Sequence, residues 1–260
     1  MADPSYQEDL IDLHVDEHID APKVADFLHG NLPGSDEPPR KMSEALIDSM
    51  PEFRAVDYES IGLADLGKPE GFIARQIDGW FRCWESTKNE DVPEMADVYS
   101  WLRENLPSSE IHSLVHNDFK LDNAMFAAAN PARIVSIFDW DMCTLGGPLS
   151  DLGALLAYWS EPSDPAYALE MARMPTGDLA FLTRAQLVQR YAAKTERSVE
   201  HINFYYALAL FRITVIIAQI YIRFLRGQTQ DQRFFDFGKV IPHFARMAQG
   251  VAAGEMGIKL

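Results

Sequence analysis

The alternation of apolar and polar positions divides the chain into a helical beginning, a short strand-rich middle and a helical end. Ala21 to His29 carries Val24, Phe27 and Leu28 on one face and predicts a short helix. Asn31 to Pro39 (NLPGSDEPP) is a turn or linker signal. Ser43 is placed as the N-cap of a helix bearing Ala45, Leu46 and Met50. Pro69 opens a longer helix with Phe72, Ile73, Ile77, Trp80, Phe81 and Trp84 at helical spacing, and another spans Pro93 to Asn105.

At residue 113 the period changes. Ser113-Leu114-Val115 is a short apolar run. Asn123 to Ala128 and Arg133 to Phe138 are two more, and the turn-like Ala129-Asn130-Pro131 between them predicts a β-hairpin. A polar loop, His116 to Asp122, precedes it. Helices return from Leu149. Thr183 caps one containing Leu187, Val188 and Tyr191, a long and almost wholly buried one runs from about Val199 to Leu225, and the last covers about Asp231 to Val251. Arg212, Gln219 and Arg223 interrupt the apolar run from Phe204 to Leu225, so it reads as a core helix rather than a membrane span. The pattern as a whole predicts a mainly α protein with one small hairpin, an α+β class.

Composition adds limits on partners. With 47% hydrophobic and 24% charged residues in 260, the chain is an ordinary folded protein. Its 39 acidic against 23 basic residues give a net charge of −16, which argues against nucleic acid or an anionic membrane as the main partner. An anionic small molecule remains compatible if a metal ion or a locally basic pocket offsets the field. Two cysteines, Cys83 and Cys143, and an acidic N-terminus without a signal-peptide pattern predict a cytoplasmic protein.

Candidate chemistry is concentrated in Leu114 to Asp151. There His116-x-Asp118-x-x-x-x-Asn123 is followed by a strand ending in Asp139, a pattern suited to phosphoryl transfer. Asp118 lies in a loop where it can take a proton from a substrate hydroxyl. Asn123 offers an amide oxygen and Asp139 a carboxylate to Mg²⁺, and a hairpin closes the gap of sixteen positions between them. Asp118, Asp122, Asp139 and Asp141 are expected near one another with only Lys120 and Arg133 as nearby cations. A phosphate enters such a field only with a bridging cation. Other signals read as structural. His14 and His18 belong to a solvated acidic tail rather than a metal pair, the aromatic stripe from Phe72 to Trp84 packs the core rather than lining a pocket, and Cys143 has no basic neighbour to activate it.

The loop LVHNDFKLDNAMF (114–126), the segment IFDWDMCTLGGPLSDLGALLAYW (137–159), the helix LALFRITVIIAQIYIRFLRGQT (208–229) and FRAVDYESIGLADLGKPEGFIARQIDGW (53–80) together resemble the aminoglycoside phosphotransferase and choline-kinase-like enzymes, relatives of protein kinases. The resemblance runs from about Phe53 to Met247 and is greatest to the kinase-like domains fused to some acyl-CoA dehydrogenases. It implies a protein-kinase-like C-terminal lobe over 41–260, preceded by an acidic segment, 1–40, holding a remnant of the N-lobe. It implies Asp118 as base, Asn123 and Asp139 as Mg²⁺ holders, His116 as the residue positioning the loop, Asp151 as its tie to the next helix, and Lys120 near the γ-phosphate. It also implies ATP and Mg²⁺ as cofactors and a small-molecule hydroxyl as acceptor: aminoglycoside, sugar, choline-like or hydroxyacyl-CoA. The chain departs from the family in one respect. No Gly-rich loop or strand lysine precedes residue 60, where only Lys23 and Lys41 occur, and Glu52-Phe53-Arg54 replaces the usual Leu-His before Ala-Val-Asp. The N-lobe is therefore read as truncated. Two functions stay open: an ATP-dependent phosphotransferase, and an inactive kinase-like module that binds a ligand or partner. Loss of the small lobe is expected to bare an apolar face that drives homo-oligomerisation.

Overall fold

A computed structural model describes residues 37–107, 111–170, 172, 174–177 and 180–260. The readings of a helix at Ala21 to His29 and of the His14, His18 pair lie outside the described residues, as does most of the Asn31 to Pro39 segment. The helices are α1 (Glu37–Arg54), α2 (Phe72–Thr87), α3 (Glu94–Glu104), α4 (Leu149–Tyr158), the short α5 (Ala166–Glu170), α6 (Arg184–Thr195), α7 (Ile202–Leu225) and α8 (Phe237–Ala252). The strands are β1 (Ser113–Val115), β2 (Ala124–Ala127), β3 (Asn130–Ile137) and β4 (Thr144–Gly146).

The fold is organised around α7, which packs against α2, α3, α4 and α8. By length and composition α7 is apolar enough to cross a membrane, yet its first two-thirds are enclosed: Phe204, Leu210, Phe211, Val215 and Ala218 are buried. Its C-terminal turns are only half-covered and Leu225 is exposed, so burial is less complete than the sequence predicts. Helices α4 and α7 meet at Gly153, where an added Cβ would fall 2.5 Å from the Tyr205 carbonyl oxygen. Such an approach admits only glycine.

Helix α1 begins six residues before Ser43. Pro38 and Pro39 occupy its first turn, where a missing N–H costs nothing. Ser43 is therefore internal rather than a cap; its hydroxyl donates to the Pro39 carbonyl at 2.8 Å and accepts from the Leu182 N–H. Helix α2 starts at Phe72 behind Gly71, which adopts φ 65°, and not at Pro69. Thr183 caps α6 through a reciprocal capping box with Gln186.

Two two-stranded antiparallel sheets hold the middle of the chain. The hairpin β2–β3 pairs Ala124 with Ile137 and Ala127 with Asn130, so its turn is Ala128-Ala129 and not the predicted Ala129-Asn130-Pro131. The second sheet pairs β1 with β4, setting Ser113 opposite Gly146 and Val115 opposite Thr144. Met125, Val135, Phe138, Trp140 and Met142, on the hairpin and the turn after it, are exposed. The described residues form the helix-rich lobe of a protein-kinase-like fold, and among them there is no five-stranded lobe.

Candidate active site

Strand β1 delivers its chain end into a loop whose backbone is fixed by buried side chains. The Asp151 carboxylate, fully buried at the start of α4, accepts from the His116 N–H at 2.9 Å and the Asn117 N–H at 2.7 Å. Asn117 adopts φ 64° and donates its side-chain amide to the Met142 carbonyl. The His116 ring is fully buried and used at both nitrogens. Its Nδ1 accepts the Asp118 N–H at 3.2 Å, so Nε2 carries the hydrogen and donates to the Phe138 carbonyl at 2.7 Å. One imidazole thus links the loop to the residue before Asp139. Phe119 is fully buried and packs on Phe53, with Trp140 closing over His116 and Phe53.

This scaffold brings the predicted residues together. The Asn123 carbonyl accepts the Phe138 N–H at 2.8 Å, just beyond the Ala124–Ile137 pair, so Asn123 and Asp139 flank the open end of one hairpin. Asn123 directs its Nδ2 to the Asp118 carbonyl (2.8 Å) and carboxylate (3.1 Å), which leaves Oδ1 facing away from Asp118. Asp139 is exposed, adopts φ 60°, and has no ion-pair partner among the described residues. The Asp118 side chain retains 15% exposure and pairs with Lys120 Nζ at 2.6 Å.

The cation count expected from the sequence is only partly met. Lys120 joins Asp118, lies 5.2 Å from the centre of the Tyr158 ring, and acts on Asp122. Arg133 forms no ion pair among the described residues, so one lysine carries most of the local compensation. Burial lowers the Lys120 ammonium's affinity for its proton, but the Tyr158 oxygen and the Asp118 carboxylate outweigh it and the net shift is upward. Burial is also the main reason that the Asp122 carboxyl is raised, with Lys120 opposing and Asp118 reinforcing. The Tyr158 hydroxyl is raised by burial first and by Asp118 second. Cys143 is raised by burial and then by Asp151, the opposite of an activated thiol.

Among the described residues no three His, Cys, Asp or Glu side chains form a closed metal cage. The Asn123 Oδ1 and the unpaired Asp139 carboxylate suit Mg²⁺, which binds through one or two carboxylates plus substrate phosphates and water. The described residues do not include a glycine-rich clamp for the phosphates.

Two features went unread in the sequence. Arg54, where the family pattern has histidine, is buried; its Nη1 donates to the Tyr191 hydroxyl at 2.6 Å and its Nη2 lies 3.7 Å from the Asp151 carboxylate. It stands behind the loop as the counter-charge to Asp151. The second feature is a cleft beside the loop, about 410 Å³ in volume, between α2 and α7. Phe72 and Trp84 are core residues as the stripe predicts, whereas Trp80 is half-buried and lines this cleft with Phe72 and Arg212.

Acyl-CoA dehydrogenase family member 11 of Pongo abelii is 26% identical over 210 residues, covering 77% of this chain. This chain spans only about a quarter of that relative's length, 26%. The crystal structure of a provisionally named aminoglycoside phosphotransferase from Ralstonia eutropha superposes with a TM-score of 0.75 at 29% identity. It covers 85% of this chain and 67% of its own, so about a third of it has no counterpart here. A thermostable aminoglycoside phosphotransferase mutant, in ternary complex with AMP-PNP and hygromycin B, shares the fold at a TM-score of 0.52 and 18% identity, covering 86% of this chain and 68% of its own. The phosphotransferase enzyme family matches residues 16–184, well over half of the sequence, and this chain belongs to that family.

Proposed function

We propose that the chain is the catalytic lobe of a small-molecule kinase that moves the γ-phosphoryl group of ATP to an acceptor hydroxyl. One observation carries this reading: Asp118, partly exposed on a loop otherwise locked by buried hydrogen bonds, stands beside an Asn123 that the hairpin joins to Asp139. In the proposed mechanism Asp118 orients the acceptor hydroxyl and takes its proton as the acceptor oxygen bonds to the γ-phosphorus and the bond to the β,γ-bridging oxygen breaks, with ADP leaving. Lys120, kept charged, counters the negative charge that Asp118 brings to the incoming phosphoryl group. His116 and Asp151 hold the loop backbone, so Asp118 need not be ordered anew when the acceptor arrives. Asn123 Oδ1 and Asp139 would hold Mg²⁺, which when bound neutralises phosphate charge. The division of the chain at residue 40 into an N-terminal segment and this lobe is part of the same proposal.

The test is ATP turnover over a panel of hydroxyl acceptors, with Asp118→Ala and Asp139→Ala alongside. Loss in both variants supports the assignment, and activity surviving both sinks it. A second reading, a non-catalytic ligand-binding module, is favoured by one observation: no phosphate clamp lies among the described residues. Titration calorimetry with Mg·ATP separates the two, because tight metal-dependent binding contradicts the non-catalytic module.

A further inference from the structure

The cleft between α2 and α7 runs against the charge of the chain that forms it. Lys68, Arg75, Arg212, Gln76 and Asn117 line it, and Arg212, Gln76 and Asn117 also border a smaller adjoining apolar pocket with Tyr158, Tyr205 and Leu208. Among the described residues no aspartate or glutamate lines either space, in a protein of net charge −16.

The three cations are not equivalent. Arg75 is taken up by the carbonyls of Glu70 and Lys68, and Lys68 is exposed at the rim. Arg212 is different. It projects from the otherwise apolar middle of α7, half-buried, with its guanidinium 5.5 Å from the centre of the Trp80 ring. The Trp80 indole N–H is fixed by Gln76 at 3.0 Å, so the ring is a settled platform. Its Nη2 lies 3.6 Å from the Met142 sulfur, and no carboxylate pairs with it among the described residues. Arg184 and Arg190 in the same molecule each face two carboxylates. A guanidinium in an apolar wall, aimed into a cleft and stacked on an aromatic ring, is built to receive a carboxylate or phosphate. Tyr158 and Arg212 line the same space, and Lys120, the ion-pair partner of Asp118, lies 5.2 Å from the centre of the Tyr158 ring, which sets the guanidinium's cleft beside the Asp118 loop.

We propose that Arg212, seated on Trp80, anchors an anionic group of the acceptor, and that the acceptor is a hydroxy compound with an apolar body and a carboxylate or phosphate rather than a polycationic sugar. This rests on the phosphotransfer reading of the Asp118 loop, and its test is separable from that reading because it needs no turnover. Calorimetry without nucleotide compares 4-(hydroxymethyl)benzoate, its neutral amide, 4-(hydroxymethyl)phenyl phosphate and hygromycin B on the full chain. Wild type should bind the better of the two anions about ten-fold tighter than the amide, and whichever anion is tighter names the group. Arg212→Gln should erase that preference while holding amide affinity within about two-fold, and Arg212→Lys should restore part of it. Asp118→Asn should keep the preference whether or not it abolishes transfer, so failure of the chemistry and failure of the subsite give different results. Equal binding of acid and amide, a preference that survives Arg212→Gln, tighter binding of hygromycin B, or no saturable binding of either anion each overturns the proposal. If Arg212→Gln loses the amide as well, Arg212→Lys decides: it must bind anions better than the amide, or the subsite is refuted.

Discussion

One face of the site is the loop beside the cleft, held by buried backbone hydrogen bonds, where Asp118 and Asp122, with Asp139 at the end of the hairpin, put negative charge. On the other, Arg212, Arg75 and Lys68 put positive charge on the rim of an apolar floor made by two close-packed helices. The two walls are stabilised by different physics. The loop wall depends on a few polar contacts, each costly to break because its partners are buried. The helix wall depends on shape, and its charges are largely free of structural duty. Chemistry that demands fixed geometry therefore belongs to the first wall, and selection among acceptors to the second.

The largest expected effect lies on the loop wall. Asp118→Asn should cut turnover by about 10²- to 10⁴-fold while leaving unfolding unchanged; a loss confined to KM would move Asp118 from chemistry to binding. Next comes its support. Arg54→Met removes the counter-charge of a fully buried Asp151 and should cost about 3–5 kcal/mol in urea unfolding. A cost below about 1 kcal/mol would show that the two backbone N–H donors alone satisfy Asp151. On the helix wall, Gly153→Ala forces α4 from the Tyr205 carbonyl and should cost about 1–3 kcal/mol. The comparison predicts that acceptor affinity weakens more than the turnover rate.

The smallest effect is a contrast in pH. The Asp48 carboxyl on α1 is raised by burial but lowered further by Arg190 and Lys194, for a net downward shift from 3.8. Its stabilisation is complete above pH 3.8 and is lost as pH falls through the folded value. Asp122 is raised, so it contributes nothing while protonated in both folded and unfolded states below its ordinary value of 3.8, and a penalty that grows as pH rises from there through the folded value. Melting curves from pH 3 to 7 should show Asp48→Asn losing under about 1 kcal/mol toward neutrality and Asp122→Asn gaining. The same sign in both would contradict the opposite shifts.

The loop wall was legible in the sequence because its parts are near neighbours along the chain. His116, Asp118 and Asn123 lie within eight residues, and two short apolar runs with a turn signal between them predicted the hairpin that returns the chain to Asp139, though not the position of its turn. The helix wall was not legible. Residues 68–80, 117, 150–158 and 205–213 meet only after folding, so no local pattern announces them. Arg212 looked like a blemish in an apolar helix, and Arg54 like a departure from a family motif. Each owes its role to a partner far away in sequence, Trp80 for one and Asp151 for the other. The β1–β4 pairing escaped because three-residue strands are too short to show alternation. The start of α1 was misplaced because prolines that punctuate loops are equally at home in a helix's first turn.

The hairpin bears on how such a protein can diverge. Its site end is clamped by the Ala124–Ile137 pair, the Asn123–Phe138 bond and the His116 ring, whereas Ala128 and Ala129 at its tip are exposed. Lengthening the tip leaves residues 118, 123 and 139 where they are, while a one-residue slip at the clamped end swings Asp139 to the opposite side of the ribbon. Insertions and deletions between the metal-side residues are thus tolerated or lethal according to which end of one short ribbon they strike, and evolution has latitude only at the far one.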